Sequence, residues 1–507
     1  MESIIRALNE IVWGPPMLAL LLGTGLYLTI GLRLLSVLKI PFAFSQLFKK
    51  PDRSQEGDVT PFGALMTALS STIGTGNIAG VAAAIAIGGP GAVFWMWVTA
   101  IVGTATKYSE GVLAVRFREI DHDGRHVGGP MYYIKNGMGK NWLWLGGLFA
   151  TLGILASWGT GASIQANSIA DALKATYGVS PLVSAIVLAV AAGAVILGGI
   201  QRIASVASRL VPVMAISYLA GGLLVIGLHL DAVPAAFGLI FKGAFGLDSA
   251  GTGISIGLLM LAMQKGVARG IFSNEAGQGS APIAHAAAKI QDPVDQGLVA
   301  MLGTIIDTLI VCSITALVIL TSGVLGPECI PTAANAADIL ANGQPAGCDT
   351  GAPLTVAAFD AGLTGIGEHI VAIGLTVFGF TTILGWSYYG ERCAEFLFGE
   401  KSILPFRISW IVVTFLGAAA LMLEGSVANI VNLFWLVADT LTGMMAAPNL
   451  VGLVFLSPIV FAMTKAHFNA VRNGEPKPSY PIIDQRSDAQ KEAQASGSKS
   501  GDDWDWN

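Results

Sequence analysis

Ser70-Ser71-Thr72-Ile73-Gly74-Thr75-Gly76-Asn77-Ile78-Ala79-Gly80 sets a run of small residues and hydroxyls inside a segment otherwise apolar enough for a membrane. Each Gly weakens a helix by roughly 0.8–1 kcal/mol relative to Ala. Backbone freed from helical pairing inside hydrocarbon must find partners in protein, water or a bound solute. The stretch therefore predicts a broken helix, and a ligand or ion site at the break.

The rest of the chain supplies the membrane. Of 507 residues, 53% are hydrophobic and 12% charged, with a formal net charge of −5 and a mean hydropathy of +0.66. A soluble chain carries about 25% charged residues and, at this length, divides into several domains. The composition instead predicts an all-α polytopic membrane protein with the lipid bilayer as its main partner and no nucleic acid. No basic leader with a cleavage site precedes the first span: Met1 to Trp13 reads as a short amphipathic helix on the membrane surface, with Ile4, Ile5, Leu8, Ile11 and Val12 on one side.

Apolar stretches of about 17–25 residues mark crossings. They fall near 14–34, 60–87, 91–115, 143–172, 181–200, 209–229, 297–322, 368–389 and 405–423. Residues 233–270 read as one interrupted span, broken at Gly246 to Gly253, and 426–465, with Pro448 between its halves, is long for one crossing and short for two. About eleven spans are expected, within a range of ten to twelve.

Cytoplasmic loops are enriched in Lys and Arg, and here these residues alternate. Lys49, Lys50 and Arg53 follow the first span, Arg116, Arg118 and Arg125 the third, Lys265 and Arg269 the interrupted one, and Arg392, Lys401 and Arg407 a later one. From Ile290 to Glu391 there is neither Lys nor Arg, so the polar stretch Gly326 to Leu354 is the main outer loop. The N-terminus is then outside and the C-terminus cytoplasmic. Cys329 and Cys348 share the outer loop, either as a disulfide in an oxidising compartment or as two unrelated thiols. Residues 466–507 form a polar cytoplasmic tail read as disordered, after an N-terminal part (1–40) and a membrane-spanning core (60–465).

With these directions, the Gly74–Asn77 span runs outward and the span holding Gly251-Thr252-Gly253 runs inward. Glycine-broken helices at corresponding places in two oppositely oriented five-helix halves point to an inverted-repeat transporter with substrate where the breaks meet. Close helix packing on small residues is the plainer alternative. A zwitterionic substrate suits such a site. Backbone N–H groups around Gly76 meet a carboxylate, freed carbonyls meet a cation, and Thr72, Thr75 and Gly251–Gly253 add polar groups.

Other classes find little support. The six histidines are scattered, no His-Glu-x-x-His or Ser-x-x-Lys site stands within a span, and no Walker A sequence occurs, so neither an enzyme nor an ATP-driven pump is expected. A channel shares the broken helices and remains the alternative, separable by its lack of gradient coupling. Asp307, Asp439 and Glu110 are the ionisable residues within spans. Asp307 is either a proton site or a buried hydrogen-bonding strut. Glu110 reads as a salt-bridge partner of Lys107, and Glu275 with Arg269 as a latch or a fixed pair.

At this point the chain resembles the alanine or glycine:cation symporters of the amino acid–polyamine–organocation superfamily. The residues carrying the likeness are Gly74 to Gly80, Gly128 to Ile134, Gly266 to Gly277, Gly279 to Ala287 and Trp386 to Glu391. It runs from about residue 10 to 465 and implies a leucine-transporter-like 5+5 inverted repeat with one extra N-terminal helix. It also implies uptake of alanine or glycine through a cell (inner) membrane, with Na⁺ (less often H⁺) as coupling ion, by a protein functional as a monomer. By resemblance, Ser71, Asn77, Gln165, Thr382 and Trp386 join Thr72, Thr75, Gly76 and Gly251–Gly253 at the substrate. Ser70, Ile73 through its carbonyl, Thr381 and Thr382 hold sodium. Gln165 as an interhelical strut and Trp386 as an interfacial anchor are the alternatives from the residues themselves.

Overall fold

The computed structural model describes residues 2–47, 55–246, 253–330, 347–423 and 428–486. The chain is mostly helical, and its first decisive element starts where the sequence says it must. Thr60 caps the helix Pro61–Thr72 by accepting the Gly63 N–H at 3.0 Å, with Pro61 at the first helical position. Ile73 then leaves helical geometry (φ −75°, ψ 97°). The chain resumes as a wide π turn, Gly76–Gly80, continuing into Val81–Gly88, and the two halves are bent by 54°.

The helices fall into two groups by packing. Gly91–Arg116 lies against Gly253–Asn274, Pro293–Thr304 and Ala281–Ala286. Leu143–Ala156, Ile164–Tyr177, Pro181–Ile196 and Ile403–Ala419 gather around Gly367–Phe398. The broken helix lies between the groups, its first half, Pro61–Thr72, against Gly367–Phe398 and its second half, Val81–Gly88, against Gly253–Asn274. Wide π turns also interrupt Ser157–Ser163 and Ile305–Cys312, a device that recurs at functional sites.

Among the described residues, seven helices are long and apolar enough to cross a membrane, or eight if the bent pair is one span. The sequence expectation of eleven is larger because it counts elements such as Gly91–Arg116, which buries Lys107 and Glu110, and Pro181–Ile196, with 16 residues. The doubtful C-terminal stretch is one 46-residue helix, Ala428–Asn473, with Pro448 and Pro458 inside it. At the other end, Glu2–Val12 packs on this helix through Asn9, which donates to Asp439 (3.2 Å) and Thr440 (3.0 Å), while Ile4, Leu8 and Ile11 remain exposed.

Within the stretch expected as tail, the chain stays helical to Asn473, and Ile483–Asp484 forms a strand, β3. It pairs in parallel with β1 (Glu119–Ile120), which pairs antiparallel with β2 (His126–Val127). The reason is an open edge: β1 leaves unpaired backbone groups, and the tail supplies them, Gln485 N–H reaching Ile120 O at 3.0 Å. Residues 487–507 lie outside the described residues.

Candidate functional site

The first break is built by Asn77. Its side-chain oxygen accepts the Gly74 N–H at 2.9 Å, fixing the turn between the half-helices. Its amide donates to Asp307 Oδ1 at 2.7 Å. Asp307 Oδ2 accepts from Thr308 (2.7 Å) and from Ser273 (2.8 Å). Asn77, Asp307 and Thr308 are wholly buried, so one carboxylate joins the first break to the end of Gly253–Asn274. This matches the strut reading of Asp307.

That connection relocates the second break. Gly253 opens a helix of 22 residues, which at 1.5 Å per residue puts it about 30 Å from Asn274. Yet a Cβ built on Gly76 would lie 3.4 Å from Phe272 and 3.8 Å from Ser273 Cα. Gly253 is therefore remote from the first break, and Gly251 and Thr252 lie outside the described residues. The chain facing Gly76 is Phe272 to Ser280, where the helix ends and Glu275 (φ 55°), Gly277 (87°) and Gly279 (83°) all turn left-handed before Ala281–Ala286. The spaced glycines of Asn274 to Ser280 were the available signal. Gly-Thr-Gly at 251–253 drew the reading away because it echoed the first break.

Gly74 is the point of closest approach. A Cβ there would lie 2.6 Å from Thr382 Oγ1 and 3.6 Å from Gln165 Oε1. Thr382 Oγ1 donates to Phe378 O (3.0 Å) and stands 3.5 Å from Ile73 O. Gln165 Nε2 donates to Thr160 O at 3.3 Å, while its buried Oε1 has no partner. Ile73 O, Thr382 and Gln165 thus converge on one spot beside bare backbone.

The remaining predicted residues fall around it. Ser70 and Ser71 hydroxyls donate to Thr67 O (2.7 and 3.2 Å) and crowd Gly385, where a Cβ would come within 2.7 and 2.0 Å of them. Thr72 Oγ1 donates back to Ala68 O and Leu69 O at 3.3 Å, and Thr75 is buried directly before the π turn. The Thr381 hydroxyl turns to Phe378 O (2.9 Å) and Met214 Sδ (3.5 Å), on the side of Gly199–Leu228. Trp386 packs under Gly161, where a Cβ would meet its Cβ at 2.5 Å, and donates its indole N–H to Glu275 Oε1 at 2.9 Å.

Residues that no sequence motif marks complete the surroundings. Asn449, fully buried beside Pro448, donates to Gly277 O (2.8 Å) and Glu110 Oε1 (2.7 Å) and accepts from Tyr133. Glu110 is therefore held by Asn449, the partner its proximity to Lys107 concealed. Glu275 is held by Trp386 and Ser280, and Arg269 instead lies over the Phe272 ring at 5.6 Å.

At one end of the bundle, backbone hydrogen bonds form a closed seam. Asp58 and Val59 N–H groups donate to Ala287 O (2.8 and 3.1 Å), and Lys289 N–H returns to Val59 O at 2.6 Å. Arg118 donates to Ala288 O (2.7 Å), Ile290 O (2.8 Å), Ala286 O (3.1 Å) and Glu56 O (3.2 Å). Burial pulls its guanidinium down to about 10, still a cation at neutral pH. Beside this seam lies a cavity of about 890 Å³ whose wall includes Glu391 and Arg407, paired at 2.6 Å. Cys329 and Cys348 are joined in a disulfide.

The break thus sets polar backbone beside buried acceptors. A solved structure of MhsT in complex with L-phenylalanine superposes with a TM-score of 0.51 over 81% of this chain and 99% of its own, at 15% identity, so the likeness concerns the fold, that of leucine-transporter-type carriers. The sodium/alanine symporter AgcS of Methanococcus maripaludis is 48% identical over 478 residues, 94% of this chain and 99% of its own length. An uncharacterized transporter of Haemophilus influenzae is 45% identical, covering 93% of this chain and 97% of its own. The sodium:alanine symporter family profile matches residues 1–480, and this multi-pass membrane protein belongs to that family.

Proposed function

We propose that this protein imports alanine by Na⁺ symport, with both solutes bound at the Gly74 break. The observation that carries the reading is the buried, unpartnered Gln165 Oε1 aimed at Gly74 beside Ile73 O and Thr382 Oγ1. A buried acceptor without a donor is costly, about 1–3 kcal/mol, and an ammonium group supplies what it lacks. The Thr75 and Gly76 N–H groups open the outer half-helix, where the first amides have no intrahelical partner and the dipole favours a carboxylate. Ile73 O and Thr382 Oγ1 are hard oxygens suited to Na⁺ as co-transported ion, with Ser70 and Thr381 on its margin. Glycine fits the same groups. Thr72, Ser71, Asn77 and Trp386 shape the pocket, with Phe272 and Ser273 replacing Gly251–Gly253 on the facing side.

Transport then consists of moving one helix group against the other about this point. The seam at Asp58–Val59, Ala287–Lys289 and Arg118 is the inner closure that must open. The N-terminus lies outside, the C-terminus in the cytoplasm, and one chain contains a whole site. Proteoliposomes should accumulate alanine only with an inward Na⁺ gradient. Equal uptake after the gradient is abolished, at matched membrane potential, refutes coupling and returns the channel reading.

A further inference from the structure

Glu275 is an odd residue to find where it is. Its side chain is 3% exposed, it lies at the second break inside the bundle, and its backbone takes φ 55°, a left-handed conformation that costs an L residue roughly 1–2 kcal/mol. The shape of the turn alone would be served by Gly, which occupies the two other left-handed positions, 277 and 279. The side chain must therefore earn its place.

Its carboxylate is used at both oxygens. Oε2 accepts from Ser280 and Oε1 from the Trp386 indole N–H at 2.9 Å. The bond crosses from the group of helices holding the second break to Gly367–Phe398 in the other group. Trp386 is buried in an apolar cluster, with Gly161 against its Cβ and Cγ and the Tyr389 ring edge-on at 5.7 Å. Packing confines the ring, and the bond to Glu275 is the hydrogen bond that fixes where its N–H edge points.

We propose that Glu275 is a specificity-determining, positioning residue: by anchoring the Trp386 indole it sets the size limit of the amino acid the pocket admits. The proposal rests on the reading of the Gly74 break as the alanine site, one helical turn from Trp386 through Thr382. A wall held rigid rejects each added methylene, whereas a wall free to rotate yields to it, and rigid pockets discriminate by about 10–200-fold per methylene. The carboxylate never touches substrate. It acts only through the ring.

The test is competition, by alanine, 2-aminobutyrate and leucine, for Na⁺-dependent [³H]alanine uptake into proteoliposomes, read as the ratio of half-inhibitory concentrations. Glu275→Leu should lower the leucine-to-alanine ratio by about tenfold or more, and Glu275→Gln, which keeps an acceptor at the same reach, should hold the wild-type ratio. Ser280→Ala, a change small enough to spare folding, frees the carboxylate and should relax the ratio in the same direction by a smaller factor. In a Trp386→Phe background, which has no N–H to anchor, neither Glu275→Leu nor Ser280→Ala should shift the ratio further. A wild-type ratio in Ser280→Ala and Glu275→Leu, or equal shifts with and without the indole, overturns the role of Glu275. Absence of alanine transport by the wild-type protein instead overturns the site reading beneath it.

Discussion

Asn77 and Asp307 share a 2.7 Å hydrogen bond across 230 positions of sequence, and through it a turn in one broken helix is tied to the end of another. Asp307 receives Asn77, Ser273 and Thr308 together. Asp307→Ala leaves three buried donors without their acceptor, each costing about 1–3 kcal/mol. The variant should melt lower in detergent and lose uptake, while Asp307→Asn, keeping one carbonyl acceptor, should retain more of both. Equal melting of Asp307→Ala and wild type would show the tie to be incidental.

Gly74 and Gly76 look alike in the sequence and differ in the structure. A methyl on Gly74 collides with Thr382 Oγ1 at 2.6 Å, whereas on Gly76 it makes ordinary contact with Phe272 at 3.4 Å. Gly74→Ala should reduce Na⁺-dependent alanine uptake by on the order of 10²-fold, the scale of a misplacement near 1 Å. Gly76→Ala should remain close to wild type. The reverse ranking, measured as initial uptake rates at matched expression, would move the point of closest approach to Gly76.

Arg118 holds four carbonyls, and hydrogen bonds from a charged donor contribute about 1.5–3 kcal/mol each. Arg118→Ala should weaken the inner seam, so that a cysteine introduced by Val59→Cys reacts faster with a thiol reagent added from the cytoplasmic side. Arg118→Lys should recover little, because an ammonium is a single point with three donors and cannot span the fork. Unchanged labelling rates in Arg118→Ala would leave the seam to its backbone bonds alone.

The Cys329–Cys348 disulfide offers a check on orientation. Treating intact cells with a membrane-impermeant reductant and then an impermeant maleimide should label the protein, since disulfides persist on the oxidising side. Labelling confined to inside-out vesicles would invert the proposed topology.

The first break was legible because Gly74, Thr75, Gly76 and Asn77 are wrong for an apolar helix interior, and the structure bends there by 54°. The second was not, for a physical reason. Asn274 to Ser280 turns on three left-handed residues spaced by two, one of them Glu275, and nothing in composition marks a glutamate as left-handed. Gly251–Gly253 imitated the first motif without its neighbours. The role of Arg118 was equally hidden, because its partners are backbone carbonyls, those of Glu56, Ala286, Ala288 and Ile290, which every residue carries and no sequence pattern announces; Asn449 likewise meets Gly277 O, along with Glu110 and Tyr133 from distant parts of the chain.

The pairing of β3 with β1 has a consequence for biogenesis. Chains emerge from the ribosome N-terminus first, so Glu119–Ile120 is made long before Ile483–Asp484. Until that later strand appears, the β1–β2 hairpin has one bare edge, open to any extended segment nearby. Completion of this small sheet is therefore a late event, waiting on a strand from far along the chain.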